Sequence, residues 1–351
     1  MLTRLVDEKN IKELRKLLET SENIVITTHI APDGDAIGSS LGMANVLAAI
    51  GKTVKVITPD TPPRNLTFLP GAKDIVVYTR YTEFAEQLIK NADLILALDY
   101  NDIKRIDRVG DAVLGSKAAK VMIDHHLFPG DFVDVKISHP EVSSTSMLVF
   151  RVLCRLELFP YIDKKAATCI YTGMMTDTGN FSYNSNDPDL YLVISELIKK
   201  GINKDAIYSK VYNSNTVDRL RLNGFAVEQK MKVYDEYHGA LITLTRDELN
   251  RFRYQKGDTE SLVNMPLTVP EIIFSVFLRE ESDYIKVSTR SKGEFPVNKL
   301  CEEYFNGGGH KNAAGGEFFG AMEEAVAHFE KVIPQYLPLI EAQVEPKGKK
   351  K

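Results

Sequence analysis

The first half of the chain alternates short apolar runs with segments of helical spacing. The runs are NIVITTHI (23–30), TVKVITP (53–59), DIVVYT (74–79), DLILALD (93–99) and KVMIDHH (120–126). They are rich in β-branched residues and lack strict polar–apolar alternation, so both faces of these strands are expected to be buried. The pattern predicts βαβ units that form a doubly wound, mostly parallel sheet.

Helical patterns fill the spaces between these strands and continue after them. The segment 38–50 is expected to be a helix that Gly51 ends, and a further helical region runs from Ser143 to Met175. More polar helical segments follow between about Asp187 and Val227. They are expected to connect the first domain to a second one.

The remainder of the chain predicts a smaller α/β domain with a mixed sheet. A hairpin is expected to turn at His238-Gly239, EIIFSVFLRE and DYIKVSTRS are expected to pair as strands, and helices are expected at 296–305 and 321–341. The predicted organisation is a first domain at 1–188, a helical connector at 189–227, a second domain at 228–342 and a tail at 343–351.

Composition narrows the classes of function. The net charge of −4 argues against a protein that coats long duplex nucleic acid and favours a small or short anionic ligand. The cysteines Cys154, Cys169 and Cys301 are scattered, so neither a disulfide framework nor a zinc knuckle is indicated, and a reducing cytoplasm is expected. The N-terminal segment lacks the apolar core of a signal peptide, and no run is long enough to cross a membrane.

Acidic residues and histidines occur at four comparable places, each at a predicted strand end or in the following turn. They are HIAPDGD (29–35), Asp99, Asp124-His125-His126, and Asp177 in MMTDTGNF. Each one alone is compatible with an ordinary turn or helix cap. Together they are expected to converge, because ligands of open α/β sheets bind beyond the carboxyl ends of the strands.

The predicted cluster offers carboxylates and imidazoles without thiolates. This donor set suits a divalent ion such as Mn²⁺, with Mg²⁺, zinc or another divalent ion left open, and four carboxylates with two imidazoles suffice for two ions that share a carboxylate. Two such ions favour phosphoester hydrolysis. Because neighbouring side chains of a strand point to opposite faces, only one of His125 and His126 is expected to bind the same ion, which leaves the other for proton transfer.

The second predicted domain contains two candidate anion-binding segments. GGGHKNAAGG (307–316) is interpreted as a glycine-rich loop whose backbone N–H groups can approach an anion, with His310 as a further donor. Arg290 in STRS (288–291) has a guanidinium that suits phosphate. A flexible linker and a surface salt bridge are the structural alternatives.

These motifs, in this order, resemble those of the DHH phosphoesterase superfamily with its DHH-associated C-terminal domain. Within the superfamily, the chain is most similar to the bacterial bifunctional oligoribonuclease and pAp phosphatase (nanoRNase) group. The resemblance implies that His29, Asp33 and Asp99 bind one Mn²⁺, and that Asp35, Asp99, His125 and Asp177 bind a second.

The resemblance also implies roles around the two ions. His126 would face the scissile phosphate and assist the leaving oxygen, and Asp124 would orient a histidine. The implied contacts to the terminal phosphate and nucleotide are Ser288, Arg290, Ser291, Gly307, Gly308, Gly309 and His310.

The expected activity is hydrolysis of short oligoribonucleotides to mononucleotides and dephosphorylation of 3′-phosphoadenosine 5′-phosphate (pAp) to AMP. Hydrolysis of a cyclic dinucleotide or of pApA is one alternative, and a nucleotide sensor without turnover is another. The expected partners are short RNA and small nucleotides, without long duplex or membrane, and a homodimer is a candidate assembly.

Overall fold

The computed structural model describes residues 5–213 and 215–344. The chain forms two compact units, which divide between residues 214 and 215. Residues 345–351, which make up most of the predicted tail, lie outside the described residues, as does the side chain of His310.

The first unit contains a six-stranded sheet. Its strands are β1 (Asn23–Thr27), β2 (Thr53–Thr58), β3 (Val76–Val77), β4 (Leu94–Leu98), β5 (Ala119–Asp124) and β6 (Val135–Ser138). Its α-helices are α1 (Glu8–Thr20), α2 (Gly34–Ala49), α3 (Thr82–Lys90), α4 (Val109–Gly115), α5 (Thr145–Arg155), α6 (Lys164–Asp177), α7 (Pro188–Lys199) and α8 (Lys204–Tyr212). The strand order is β3-β2-β1-β4-β5-β6 and every pair is parallel, which confirms the predicted doubly wound sheet.

Both faces of this sheet are buried. Ile24 and Ile26 of β1 pack in a core with α1, α2, α5 and α6, whereas Val25 packs on the other face with residues of α3 and α4. The apolar runs without alternation predicted this two-sided burial. The order places β1 next to β4, where the direction of winding reverses, so the loops after these two strands lie side by side.

Several predicted bounds in the first unit were wrong. The run 74–79 contributes only two strand residues, and β6, which was not predicted, extends the other edge. Helix α2 begins at Gly34 instead of residue 38, because Asp33 caps it by accepting hydrogen bonds from the backbone N–H groups of Asp35 and Ala36.

The second unit contains a mixed six-stranded sheet, as predicted. Its strands are β7 (Met231–Tyr234), β8 (Gly239–Leu244), β9 (Phe274–Glu280), β10 (Ile285–Ser291), β11 (Gly308–His310) and β12 (Ala313–Phe318). Its α-helices are α9 (Val217–Gln229), α10 (Arg246–Arg251), α11 (Val297–Tyr304), α12 (Met322–Val332) and α13 (Leu337–Val344). The strand order is β11-β12-β10-β9-β8-β7, and β8 with β9 is the parallel pair.

The interpretation of GGGHKNAAGG as a loop was wrong. Residues 308–310 and 313–318 form the antiparallel hairpin β11–β12 at the edge of the sheet. A Cβ atom on Gly307 would lie 2.0 Å from the carbonyl oxygen of Gly315, and Gly309 has a φ of +144°. Close strand packing therefore requires these glycines, independently of any ligand.

The segment predicted as a connector contributes to both cores. Leu190 and Val193 of α7 and Ile207 of α8 are buried in the first unit, whereas Leu222 and Ala226 of α9 are buried in the second. The predicted domain limits at 188 and 227 stay predictions. No helix in the described part of the chain is long and apolar enough to span a membrane.

Candidate metal centre

Two loops at the reversal of winding supply the centre of the site. His29 lies two residues after β1, and Asp99 directly follows β4. Asp99 has a left-handed backbone, with a φ of +65°, and its side chain is only 2% exposed. Aspartate is one of the few residues with a side chain that adopt this conformation readily.

The first group of ligand atoms contains His29, Asp33 and Asp99. The Nε2 atom of His29 lies 3.5 Å from Oδ2 of Asp99 and 3.8 Å from Oδ1 of Asp33. The Nδ1 atom of His29 lies 2.7 Å from the carbonyl oxygen of Ile30, which suits an Nδ1–H donor. This contact leaves Nε2 directed at the carboxylates, the orientation of a metal-binding histidine.

The second group contains Asp35, His125 and Asp177, with Asp99 beside it. The Nε2 atom of His125 lies 3.4 Å from Oδ2 of Asp177 and 3.7 Å from Oδ1 of Asp99. The Nδ1 atom of His125 lies 3.1 Å from the carbonyl oxygen of Val142, which repeats the orientation of His29. Within each of the two groups, one ligand atom per residue lies within 4.8 Å of the others.

Asp177 reaches the site from a helix and not from a strand end or a turn, which corrects its predicted position. It is the last residue of α6, and α6 packs closely against α2. The sheet edge therefore supplies part of the cluster, and the two packed helices supply Asp35 and Asp177.

The two neighbouring histidines both lie near Oδ1 of Asp99, with ring centroids 4.9 Å apart, so the prediction that they point to opposite faces was wrong. Strand β5 ends at Asp124, and strand alternation no longer applies beyond it. The Nδ1 atom of His126 lies 2.7 Å from Oδ1 of Asp124 and 3.8 Å from Oδ1 of Asp99. The other Asp124 oxygen accepts the backbone N–H of His126 at 2.9 Å, so Asp124 fixes this histidine at two points.

Sequence reasoning missed Thr145 and Ser146 at the start of α5. The Thr145 hydroxyl donates to Oδ1 of Asp99 at 2.8 Å, and its backbone N–H donates to Asp35 at 2.6 Å. The backbone N–H of Ser146 donates to the other Asp35 oxygen at 2.9 Å. The positive end of α5 therefore holds one buried carboxylate and positions a second. The available signal was the run of hydroxyl residues at 143–146.

The α2–α6 contact needs a glycine opposite Asp35. A Cβ atom on Gly173 would lie 1.9 Å from Oγ of Ser146 and 2.8 Å from Oδ1 of Asp35. We expect Gly173→Ala to displace the start of α5, to cost roughly 1–3 kcal/mol of stability and to weaken Mn²⁺ binding. Denaturant unfolding and equilibrium dialysis measure the two effects. Gly115→Ala is the matched control, because its Cβ would meet nothing within 4 Å; equal behaviour of the two variants would contradict this account.

The buried carboxylates dominate the electrostatics of the cluster. Burial raises the pKa of Asp35 well above its ordinary value and that of Asp177 to about 7, and the charge of Asp99 adds to both shifts. Burial alone would also raise the pKa of Asp99, but the hydrogen bond and charge of His29 and the charges of His125 and His126 lower it.

The histidines respond to the same negative potential. Burial by itself lowers the pKa of His29 and His125, but contacts with Asp33 and Asp99 raise that of His29 to about 10. The charges of Asp99, Asp35 and Asp177 raise that of His125 to about 9. The cluster therefore attracts cations strongly, whether protons or metal ions.

This potential predicts opposite trends with pH for the stability of the chelated protein and for the extra stability that Mn²⁺ binding adds. In EDTA, stability should fall from pH 6.5 to 8.5, because folded His29 and His125 bind protons there that the unfolded chain has lost. The fall is about 1.4 kcal/mol per pH unit for each such proton. Asp35 and Asp177, also with raised pKa values, act in the same direction.

Stabilisation by Mn²⁺ should instead grow over this range, since metal ligands must be deprotonated. Thermal unfolding in EDTA and in MnCl₂ at a series of pH values measures both trends. If the difference between the melting temperatures in MnCl₂ and in EDTA does not change with pH, these residues are not the metal ligands.

The cluster fits a pair of divalent cations. It concentrates three carboxylates and two oriented imidazoles around a fourth carboxylate, that of the buried Asp99. Such an excess of buried negative charge requires compensation by cations. The oxygen-rich donor set favours Mn²⁺ or Mg²⁺ over a structural zinc site.

The second unit brings together some of the predicted substrate residues. Across β10, β12 and β11, Ser288 is in register with Gly315 and Gly308. In the same way, Arg290 is in register with Ala313 and His310. These positions therefore share one face of the sheet. A cavity of about 380 Å³ is lined by Ser288, Gly307 and, among others, Lys286.

Ser291 is separated from this set. As the next residue after Arg290 in β10, it lies on the opposite sheet face. Its hydroxyl donates to the carbonyl oxygen of Phe295 at 2.7 Å and accepts from the amide of Asn312 at 2.8 Å. These contacts give Ser291 a structural role in fixing the turn after β10.

Comparison with known proteins agrees with this geometry. Residues 23–174 match the DHH family, N-terminal domain, and residues 242–337 match the DHHA1 domain. The chain is 31% identical to the bifunctional oligoribonuclease and PAP phosphatase NrnA of Thermus thermophilus over 297 residues. The aligned region is 85% of this chain and 84% of that protein. The chain belongs to the DHH family.

A further relative and two solved structures extend the comparison. The cyclic-di-AMP phosphodiesterase GdpP of Bacillus subtilis is 27% identical over 336 residues, which are 92% of this chain and 49% of that protein. The crystal structure of an exopolyphosphatase-related protein from Bacteroides fragilis matches with a TM-score of 0.95 and 53% identity, over 97% of this chain and 100% of that one. The structure of RecJ from Thermus thermophilus in complex with Mn²⁺ matches 96% of this chain and 56% of that one, with a TM-score of 0.55 and 14% identity. This likeness shows a shared fold.

Proposed function

We propose that this DHH-family enzyme is a Mn²⁺-dependent phosphoesterase that hydrolyses short oligoribonucleotides to mononucleotides and dephosphorylates pAp to AMP. The observation that carries the proposal is the cluster of oriented imidazoles and buried carboxylates around Asp99 at the reversal of winding. The NrnA relative supports the substrate class.

The proposed ligands follow the two groups of atoms. His29, Asp33 and Asp99 would bind one ion, and Asp35, Asp99, His125 and Asp177 would bind the other, with Asp99 shared. When bound, such a pair lowers the pKa of a water and neutralises charge on a phosphoryl group. Thr145 and the N-terminus of α5 would keep Asp35 and Asp99 in position.

Proton transfer is assigned to His126. Asp124 holds Nδ1 of this histidine at 2.7 Å and so fixes the orientation of its ring. His126 would then donate a proton toward the leaving oxygen, which needs it because a ribose alkoxide is a poor leaving group.

Substrate binding is assigned to the second unit. Ser288, Arg290, Gly307, Gly308, Gly309 and His310 are proposed to contact the terminal phosphate and nucleotide, and the guanidinium of Arg290 suits a phosphate. Ser291 is assigned a structural role at the end of β10 instead, because its hydroxyl is hydrogen-bonded to Phe295 and Asn312. The cytoplasmic location and the homodimer remain predictions.

Hydrolysis of c-di-AMP or pApA is the second candidate, supported by the GdpP relative. A sensor without turnover is disfavoured, because the described residues bring all six proposed ligands together.

Side-by-side assays in Mn²⁺ test these functions. The substrates are pAp, 5′-labelled and 3′-labelled di- to pentaribonucleotides, pApA and c-di-AMP. We expect mononucleotide products from the short RNAs and AMP from pAp. Turnover of c-di-AMP alone would replace the proposal with the second candidate, and nucleotide binding without any turnover would indicate a sensor.

A further inference from the structure

The loop that follows the two adjacent histidines exposes an aromatic ring. Phe128 is 87% exposed, the highest value among the large hydrophobic residues that the structure describes, and Leu127 before it is 53% exposed. The backbone of Phe128 is left-handed, with a φ of +60°. This conformation is a genuine outlier for a bulky residue and requires support from its surroundings.

Neighbouring residues provide that support. The side-chain amide of Asn101 donates to the carbonyl oxygen of Leu127 at 2.6 Å, and the backbone N–H of Gly130 donates to the carbonyl oxygen of Asn101 at 2.7 Å. Beneath the loop, the rings of Tyr100 and Phe132 stack with centroids 5.7 Å apart. The loop is therefore held in place while it presents an apolar ring to solvent.

The anchoring places Phe128 beside the proposed reaction centre. Asn101 is two residues after Asp99, and Phe128 is two residues after His126. Two residues of chain span at most about 7 Å, so the Cα atom of Phe128 lies within that distance of the Cα atom of His126.

We propose that Phe128 is a stacking platform for a base of the nucleotide substrate next to the scissile phosphate. An exposed aromatic ring on a fixed loop offers a face to any base without selecting its sequence. The proposal deepens the proposed function and rests on it, because it assigns a nucleobase to the space beside the metal centre.

Calorimetric binding of AMP and of ribose 5-phosphate in Mn²⁺ tests the proposal, because the two ligands differ by the base and neither requires turnover. We expect the unmodified protein to bind AMP more tightly. Phe128→Ala should weaken AMP binding by about 5- to 150-fold, the range of one base–aromatic stack, and should leave ribose 5-phosphate binding unchanged. Phe128→Tyr should retain AMP binding.

Two controls separate stacking from folding. Phe84→Ala removes another aromatic ring, which lies on α3 and is 54% exposed. This variant should bind AMP and ribose 5-phosphate as tightly as the unmodified protein. Phe128→Gly should lose AMP affinity without a lower melting temperature, since glycine accepts the left-handed backbone. Equal affinities for AMP and ribose 5-phosphate, or unchanged AMP binding by Phe128→Ala, would overturn the stacking role. Loss of the proposed function would appear separately, as absence of turnover in the substrate assays.

Discussion

Asp99→Asn is expected to reduce turnover of pAp and of diribonucleotides by about a thousandfold or more and to lower the number of bound Mn²⁺ ions. Asp99 is the residue that lies beside both groups of ligand atoms, with oxygens 3.5 Å from His29 and 3.7 Å from His125. Removal of its charge should therefore weaken both ion sites together.

Asparagine is the informative replacement because it preserves the local structure. Asparagine tolerates the left-handed backbone that Asp99 adopts, and its carbonyl oxygen can still accept the Thr145 hydroxyl. The matched control is Asp131→Asn, since the Asp131 side chain is 96% exposed and lies outside the cluster. A folded Asp99→Asn protein that keeps a tenth or more of the normal turnover would refute the shared-ligand assignment.

His126→Asn is expected to lower kcat for a diribonucleotide by between about 10² and 10⁴-fold while the Mn²⁺ content stays unchanged. The physical reason is the loss of the proton donor that Asp124 holds in place. A p-nitrophenyl ester of a nucleotide should be much less affected, because nitrophenolate leaves without protonation.

The comparison of these two substrates separates proton donation from metal binding. His139→Asn is the matched control, since the His139 side chain pairs with Glu141 and not with Asp124 or a proposed metal ligand. If His126→Asn slows both substrates equally, or if the variant loses Mn²⁺, His126 acts as a ligand or support instead.

The sheet-edge part of the candidate site could be anticipated from the sequence. His29 and Asp99 follow apolar runs, and parallel topology brings the ends of such strands together whatever their separation along the chain. The burial of both faces of these strands could also be predicted, because the sequences of buried parallel strands do not alternate between polar and apolar residues.

Other parts depend on tertiary packing that no local pattern encodes. Thr145 is 110 residues from the Asp35 carboxylate that its backbone N–H contacts, and its hydroxyl neighbours indicate only a helix start. The position of Asp177 depends on how closely α6 packs on α2, which Gly173 permits. The hairpin β11–β12 was missed because glycines carry no side-chain periodicity.

Anomalous diffraction from crystals grown with Mn²⁺ would show whether two metal ions share Asp99. We expect two manganese peaks in the first unit, both bonded to Asp99, one also bonded to His29 and the other to His125. Crystals in which these side chains bind no manganese, or in which a single ion leaves Asp99 without a bond, would contradict this expectation.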